Sequence, residues 1–203
     1  YSLSLASQNF ADLNKANVAI VVLISMWAVR LGSFLFMRIH KDGEDKRFRT
    51  IKPSPTQFFM TWTLQGLWVS LCSMCALTAI ASETGVLINN LFYFGFSLFV
   101  FGFVIEVVAD NQKSKFRSVP GNRNKYITSG LWAKSRHPNF FGEIMLWTGI
   151  AIMSFSSLHG MQYLTLISPL FTYLLLVYVS GVRMLEARAD KKWGDDELYI
   201  KYK

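Results

Sequence analysis

The residues best suited to chemistry lie on either side of one basic loop. Before the loop, four ionisable residues recur at spacings of four, three and four: Glu106, Asp110, Lys113 and Arg117. After the loop, a second set recurs at spacings of four: Asn139, Glu143 and Trp147. Residues three or four apart share one face of a helix. Each set therefore predicts a helix face that carries polar groups beside the same loop.

The loop supplies cations and aromatic rings to the space between these faces: Lys125, Tyr126, Trp132, Arg136 and His137. Cations bind phosphates, carboxylates and amides bind ribose hydroxyls, and flat rings stack on a base. A metal site needs several well-spaced ligands, and His137 stands alone in this region. We therefore predict a nucleotide cofactor site, with no metal.

The composition predicts how this site is held. The hydrophobic share is 52% and the charged share only 17%, against about 25% in soluble domains. Five apolar stretches have about the length that a bilayer requires of a helix: Ala16–Met37, Gln57–Ala81, Ile88–Ala109, Phe140–Phe155 and Met161–Met184. Because lipid offers no partners to backbone groups, each stretch is predicted to be helical. We predict an all-α integral membrane protein.

The positive charges predict the orientation of these spans. Lys and Arg concentrate in the segments 39–55 and 110–138 and in the tail after the fifth span, whereas the loops 82–87 and 156–160 have none. This distribution follows the positive-inside rule and places the basic segments and the cofactor pocket toward the cytosol or a mitochondrial matrix. Topology thus explains the net charge of +8, and we predict no nucleic-acid partner. The endoplasmic reticulum, the mitochondrial inner membrane and a bacterial inner membrane remain alternatives for this multi-pass protein.

Three ionisable residues fall inside the predicted spans: Arg30, Glu106 and Glu143. Charges within a membrane are costly and usually functional, although a structural ion pair between helices is an alternative. Gly95 and Gly102 are predicted to allow close helix packing.

Several motifs resemble a known family. They are GLWAKSRHPNFFGEI (130–144), EVVADNQKSKF (106–116), WAVRLG (27–32) and GEDKRF (43–48). Together they resemble the C-terminal domain of the steroid 5-alpha-reductase family, and more closely a bacterial and eukaryotic branch of that superfamily. The resemblance implies that residues 1–203 form one transmembrane domain that lacks the family's N-terminal helices. It also implies reduction of a carbon–carbon double bond in a steroid- or polyprenoid-like lipid by NADPH.

The resemblance also implies which residues contact the cofactor. Matching motif positions are Asp110, Arg117, Lys125, Asn139 and Glu143, with Glu106 and Trp147 on neighbouring positions and Arg136 and His137 in this branch's own version of the motif. With Lys113 and Trp132 from the residue pattern, these form the predicted cofactor-binding set. Trp27 stands where the family has a catalytic Tyr, so Arg30, one turn further, is the candidate that polarises a substrate oxygen.

Two other functions are compatible with the sequence. Isoprenylcysteine carboxyl methyltransferases and related phospholipid methyltransferases share an Arg-His-Pro-x-x-x-Gly core, present here at 136–142, and a segment like Arg183–Ala187 that leads to Gly194 and Tyr199. That resemblance implies S-adenosylmethionine as cofactor. The second alternative is a non-catalytic subunit of a larger membrane complex that keeps a nucleotide or lipid pocket.

Overall fold

The computed structural model describes residues 14–43, 48–122, 124–179 and 181–203. Within them the chain is helical and contains no strand. The longer helices are α1 (Lys15–Asp42), α2 (Pro55–Ala81), α3 (Asn90–Ser118), α4 (Pro138–Ser154), α5 (Ile167–Leu174), α6 (Val182–Trp193) and α7 (Glu197–Tyr202). Residues 44–47 of the GEDKRF motif lie outside the described residues.

Within the described residues, five helical segments are long and apolar enough to cross a membrane, which confirms the predicted number of spans. The fifth is interrupted: a π-helical turn, Leu175–Val179, follows α5, and α6 begins only after Gly181. The helix of the third span begins close to the predicted limit and extends beyond the apolar stretch at its other end, as the spacing of the ionisable residues predicts. Asn89 caps α3 by accepting a hydrogen bond from the Phe92 amide (3.0 Å), and the helix continues past Ala109 to Ser118. The continuation places Lys113 and Arg117 on the same helix as Glu106.

Polar contacts gather the connecting segments at one end of the molecule. The Asn14 side chain donates to the Val86 carbonyl at 2.8 Å, and the Val86 amide donates to Asn17 Oδ1 at 2.8 Å. The Leu87 amide donates to Ser157 Oγ at 3.2 Å. The start of α1 and the two loops that lack basic residues therefore lie together, as the alternation of spans requires.

Helices α3 and α4 pack backbone to backbone at two levels. A Cβ atom on Gly95 would lie 2.6 Å from the Gly149 carbonyl oxygen, and one on Gly102 would lie 2.5 Å from that of Gly142. Contacts this short exclude any side chain larger than hydrogen. The prediction that Gly95 and Gly102 are close-packing positions is confirmed. The two helices position Glu106 and Asp110 opposite Glu143.

We expect Gly102→Ala to lower the free energy of unfolding by about 1–3 kcal/mol, because the added methyl group must separate the helix backbones. Thermal unfolding in one detergent measures the change. Gly66→Ala is the matched control, since no described atom outside its own helix lies within 4 Å of its Cβ position. This control is expected to be neutral or stabilising by up to about 1 kcal/mol. Equal stability of the Gly102 variant and the parent would contradict the close contact.

Candidate functional site

The connection between α3 and α4 is fixed to α3 before it reaches the site. The Leu131 amide donates to Gln112 Oε1 at 3.0 Å, and the Trp132 indole donates to the Ala109 carbonyl at 3.0 Å. Gly130 has φ +64°, and a Cβ there would lie 2.6 Å from the Gln112 side chain, so only glycine fits. These contacts fix the buried ring of Trp132 beside α3.

A cavity of about 140 Å³ lies between this connection, the end of α3 and the C-terminal helices. Six residues of the predicted cofactor-binding set line it: Lys113, Arg117, Lys125, Trp132, Arg136 and His137. Tyr126, which the sequence also placed in this region, lines it too, as do Leu185, Glu186, Trp193, Tyr199 and Tyr202. Pockets for drug-sized ligands measure about 300–1,000 Å³, so this cavity is smaller than a typical pocket for a whole ligand of that size.

The charge of the cavity is strongly positive. Lys113 Nζ lies 4.5 Å above the Trp132 ring, and within the described residues no carboxylate pairs with Lys113, Arg117 or Lys125. Glu186 is the only carboxylate in the described part of the lining, and Arg136 and His137 both bind it. Cations without carboxylate partners attract an anionic ligand, and phosphate groups satisfy several of them at once.

His137 joins the cavity to the protein interior. Its Nε2 lies 2.6 Å from Glu186 Oε1, and burial lowers the pKa of His137 although Glu186 opposes the shift. The neutral ring then donates from Nε2 and leaves Nδ1 as an acceptor. Nδ1 is buried and has no partner among the described residues, which leaves it available to a ligand amide or hydroxyl group.

We expect this depressed pKa to appear as acid sensitivity. Below the ordinary histidine pKa of about 6.5, the side chain of His137 is protonated in the unfolded chain but stays neutral in the folded protein. The free energy of unfolding therefore falls as the pH drops through this range. Glu186, Lys113 and Arg136 are the charged groups that face the ring. Thermal unfolding of His137→Gln from about pH 7.5 to 5.5 should show a smaller dependence of stability on pH than the parent, by at most about 1.4 kcal/mol for each pH unit.

The exposed residue His40 provides the matched control. His40→Gln should keep the pH dependence of the parent. If His137→Gln also keeps it, the assigned direction of the His137 pKa is wrong.

Aromatic residues from the C-terminus form one end of the cavity. The Tyr126 ring lies 5.2 Å from that of Tyr199 and 5.8 Å from that of Tyr202. The Tyr202 hydroxyl donates to the Trp132 carbonyl at 2.6 Å, and the Trp193 indole donates to the Asn124 carbonyl at 2.9 Å. Burial and the hydrogen bond to Asp190 raise the pKa of Tyr199 to about 12. This end of the cavity is therefore aromatic, and the Tyr199 hydroxyl is neutral at physiological pH.

The five other predicted cofactor residues do not line this cavity: Glu106, Asp110, Asn139, Glu143 and Trp147. Glu106 and Asp110 bind Arg30. Arg30 Nη1 lies 2.5 Å from Glu106 Oε1, and Nη2 lies 2.7 Å from Asp110 Oδ2. Both hydrogen-bonding ends of the guanidinium are occupied, and the catalytic role of Arg30 stays a prediction. The ion pairs do tie α1 to α3 inside the membrane-spanning region.

Buried polar atoms without partners follow one face of α4. Among the described residues they are Asn139 Oδ1, Glu143 Oε1 and Trp147 Nε1, and Trp27 Nε1 is also unpaired beside the Trp147 ring, 5.0 Å between centroids. Leaving such a group unpaired costs about 1–3 kcal/mol. Beyond His137, this face of α4 therefore presents a row of buried hydrogen-bonding groups that have no partner among the described residues. In the same part of the chain no cluster of three or more His, Cys, Asp or Glu side chains is arranged for a metal.

Comparison with known proteins places the chain in a family. The family described as "Protein of unknown function (DUF1295)" matches residues 2–203. The chain belongs to the DUF1295 family. DUF1295 is related to steroid 5-alpha-reductase-like membrane proteins, which agrees with the wider resemblance, while membership of the steroid 5-alpha-reductase C-terminal family itself stays a prediction.

Two curated relatives of this DUF1295 protein are named for different activities. A probable O-methyltransferase, ustE, of Ustilaginoidea virens is 31% identical over 116 residues, which cover 50% of this chain and 41% of that protein. A probable 7-dehydrocholesterol reductase of Acanthamoeba polyphaga mimivirus is 28% identical over 135 residues, which cover 55% of this chain and 29% of that protein. The matches thus span less than half of either relative. No solved structure matches the chain.

Sequence reasoning missed several residues of the cavity in this DUF1295 protein. Glu186 shares a helix face with Asp190, which left a cofactor role and an ion pair with Arg183 or Lys191 as alternatives, and Tyr199 and Tyr202 were not assigned to the cofactor site. Glu186 and Tyr199 are 49 and 62 residues beyond His137, and neither follows a periodic pattern that links it to the central motif. The signal available was the shared segment Arg183–Ala187, which the structure brings against Arg136.

Proposed function

We propose that this protein is a membrane oxidoreductase that uses NADPH to reduce a carbon–carbon double bond in a steroid- or polyprenoid-like lipid. The observation that carries the proposal is the cationic cavity, in which Lys113, Arg117 and Lys125 have no carboxylate partner among the described residues. NADPH bears phosphate groups that match these cations. The 7-dehydrocholesterol reductase relative supports the reaction class.

The remaining groups fit the other parts of such a cofactor. The tyrosine end, with Tyr126 and Tyr199, offers flat surfaces for a base. His137 Nδ1 and Asn139 Oδ1 are buried polar atoms without described partners, and they suit an amide or ribose hydroxyls. When bound, the cofactor supplies a hydride, while these residues hold and orient it and the surrounding helices exclude water. The interior beyond Asn139 then receives the apolar substrate from the bilayer.

We propose that the cavity faces the cytosol or matrix, because the basic segments beside it follow the positive-inside rule. Five helices of the described chain are long and apolar enough to span a bilayer, and the bilayer provides the environment that such a substrate needs.

Methyl transfer from S-adenosylmethionine is the second candidate. It is favoured by the contact that Glu186 makes with Arg136 and His137, which joins the two segments shared with methyltransferases, and by the ustE relative. The cavity's charge weighs against it. A sulfonium cation is repelled by Lys113, Arg117 and Lys125, and the one carboxylate in the described lining is already bound.

A titration in mild detergent tests both candidates. Purified protein is titrated with NADPH, NADH and S-adenosylmethionine by calorimetry, with thermal shift as a second readout. Selective NADPH binding is the expected result. Binding of S-adenosylmethionine alone would replace the proposal by methyl transfer. If none of the three binds and the protein copurifies with other subunits at fixed stoichiometry, it is a non-catalytic component of a complex.

A further inference from the structure

Three buried carboxyl groups lie near one guanidinium within the membrane-spanning helices, and two of them bind it. Glu106, Asp110 and Glu143 are 3%, 7% and 8% exposed, and Arg30 is the cation among them. Arg30 binds Glu106 and Asp110 directly. No ion pair reaches Glu143 from the described residues, and its Oε1 is buried without a hydrogen-bond partner.

The burial and contacts of this cluster favour retention of a proton. If all three carboxyl groups were ionised, Arg30 would be the only described cation paired with them, and Lys113 and Arg38 would act on Asp110 without an ion pair. Isolated charge in a membrane interior is very costly, and closely spaced like charges do not all ionise. Arg30 neutralises one charge and holds Glu106 and Asp110 in their ionic contacts. Glu143 is the member that no described cation contacts.

The described neighbours of Glu143 include no further cation that could neutralise an ionised Glu143 carboxylate. Arg30, Glu106 and Asp110 act on it electrostatically from α1 and α3, and Cys72 faces it from α2. Cys72 is already in contact with Thr172 Oγ1 at 3.1 Å. A carboxyl group in this position is a neutral O–H donor in the interior.

We propose that Glu143 holds this proton and donates it to the substrate carbon during reduction, a role that rests on the function proposed above. Reduction adds a hydride to one carbon of the double bond and a proton to the other. The hydride comes with both electrons from the reduced nicotinamide of the proposed cofactor, which is thereby oxidised. The proton comes from Glu143, whose O–H bond breaks and leaves a carboxylate.

The structure also supplies the return path for the proton. Asn139 lies one turn before Glu143 on the same face of α4, and His137 follows at the cavity. Both have buried polar atoms without described partners, so water or ligand groups can extend a hydrogen-bonded chain from the cavity to Glu143. The carboxylate therefore regains its proton from the side on which the cavity opens.

Infrared spectroscopy of the protein in lipid or detergent tests the stored proton without substrate. At neutral pH the parent should show the C=O stretching band of a protonated carboxyl group, with a small shift in D₂O. Glu143→Gln should remove this band. Glu83→Gln, which changes an exposed loop carboxylate, should leave it unchanged. Absence of the band in the parent, or its persistence in Glu143→Gln, would overturn the proposal.

Two further variants test whether an acid is needed at position 143 and whether the three carboxyl groups share charge with Arg30. Glu143→Asp keeps an acid and should keep a protonated-carboxyl band. Arg30→Met removes the cation and should strengthen the band, because Glu106 or Asp110 must then also take up a proton. An unchanged band in a folded Arg30→Met protein would show that the three groups do not share charge.

The donor role is measured separately from cofactor binding. With NADPH and cholest-4-en-3-one as the apolar enone probe, Glu143→Gln should lower kcat by about 100-fold or more, while the calorimetric Kd for NADPH changes far less. Glu143→Asp should recover part of the rate. An equal kcat in parent and Glu143→Gln would exclude donation. If the parent shows the infrared band but does not bind NADPH, the proposed function fails and the stored proton stands.

Discussion

Arg30→Met is expected to lower the free energy of unfolding by about 3–5 kcal/mol, one of the two largest effects among these predictions. The substitution leaves Glu106 and Asp110 buried opposite each other without the guanidinium that contacts both, at 2.5 Å and 2.7 Å. Removing one side of a buried ion pair exposes the full desolvation cost of the other side. Thermal and chemical unfolding in one detergent provide the measurement.

Two matched proteins identify the cause of this loss. Lys41→Met removes the same charge from an exposed position on the same helix and should change stability by less than about 0.5 kcal/mol. The triple variant Arg30→Met, Glu106→Gln, Asp110→Asn removes all three charges and should recover most of the stability. If the single variant is as stable as the parent, or the triple variant is no more stable than the single one, the ion pairs do not hold α1 to α3.

Arg117→Ala with Lys125→Ala is expected to weaken NADPH binding by about 10- to 150-fold. Both side chains line the cavity, and a hydrogen bond between charged groups contributes about 1.5–3 kcal/mol, of which solvent screening at these exposed positions leaves about half. The loss should diminish as salt is added, because screening already weakens these contacts in the parent. Calorimetry at two salt concentrations gives both quantities.

The control for this double variant removes the same charge elsewhere. Lys134→Ala with Lys191→Ala changes two exposed lysines that do not line the cavity, so NADPH affinity should change by less than about threefold. Equal losses in both double variants would mean that only the overall charge of this face matters. Unchanged affinity in the Arg117 and Lys125 variant would show that the phosphates bind elsewhere.

Local pattern was sufficient to predict the helices and much of the cavity. Hydropathy identified five spans because each must satisfy its own backbone groups, and helical spacing placed Lys113 and Arg117 on a continuation of α3. The motif from Trp132 to His137 lines the cavity because it forms the connection that is fixed to α3 at Gln112 and Ala109.

Residue spacing alone could not distinguish the residues that line the cavity from those that are buried between the helices. Lys113 and Asp110 lie on one helix face, yet Lys113 reaches the cavity while Asp110 turns to Arg30 of α1. Which partner an ionisable group meets depends on how the helices pack, and Arg30 is 76 residues from Glu106 along the chain. Spacing could not assign Glu186 to the cavity for the same reason, because only the tertiary fold brings α6 against His137.

The contacts between Gly95 and Gly149 and between Gly102 and Gly142 also determine how an apolar molecule reaches the interior. With the backbones touching at two levels, α3 and α4 leave no gap through which a lipid chain could pass sideways. Helix α1 packs its backbone less closely against its neighbours, and its link to α3 is made by the long Arg30 side chain. For the lipid substrate proposed above, we therefore expect lateral access from the bilayer along α1, where it would meet Trp27 and Glu143 before it approached the cationic cavity.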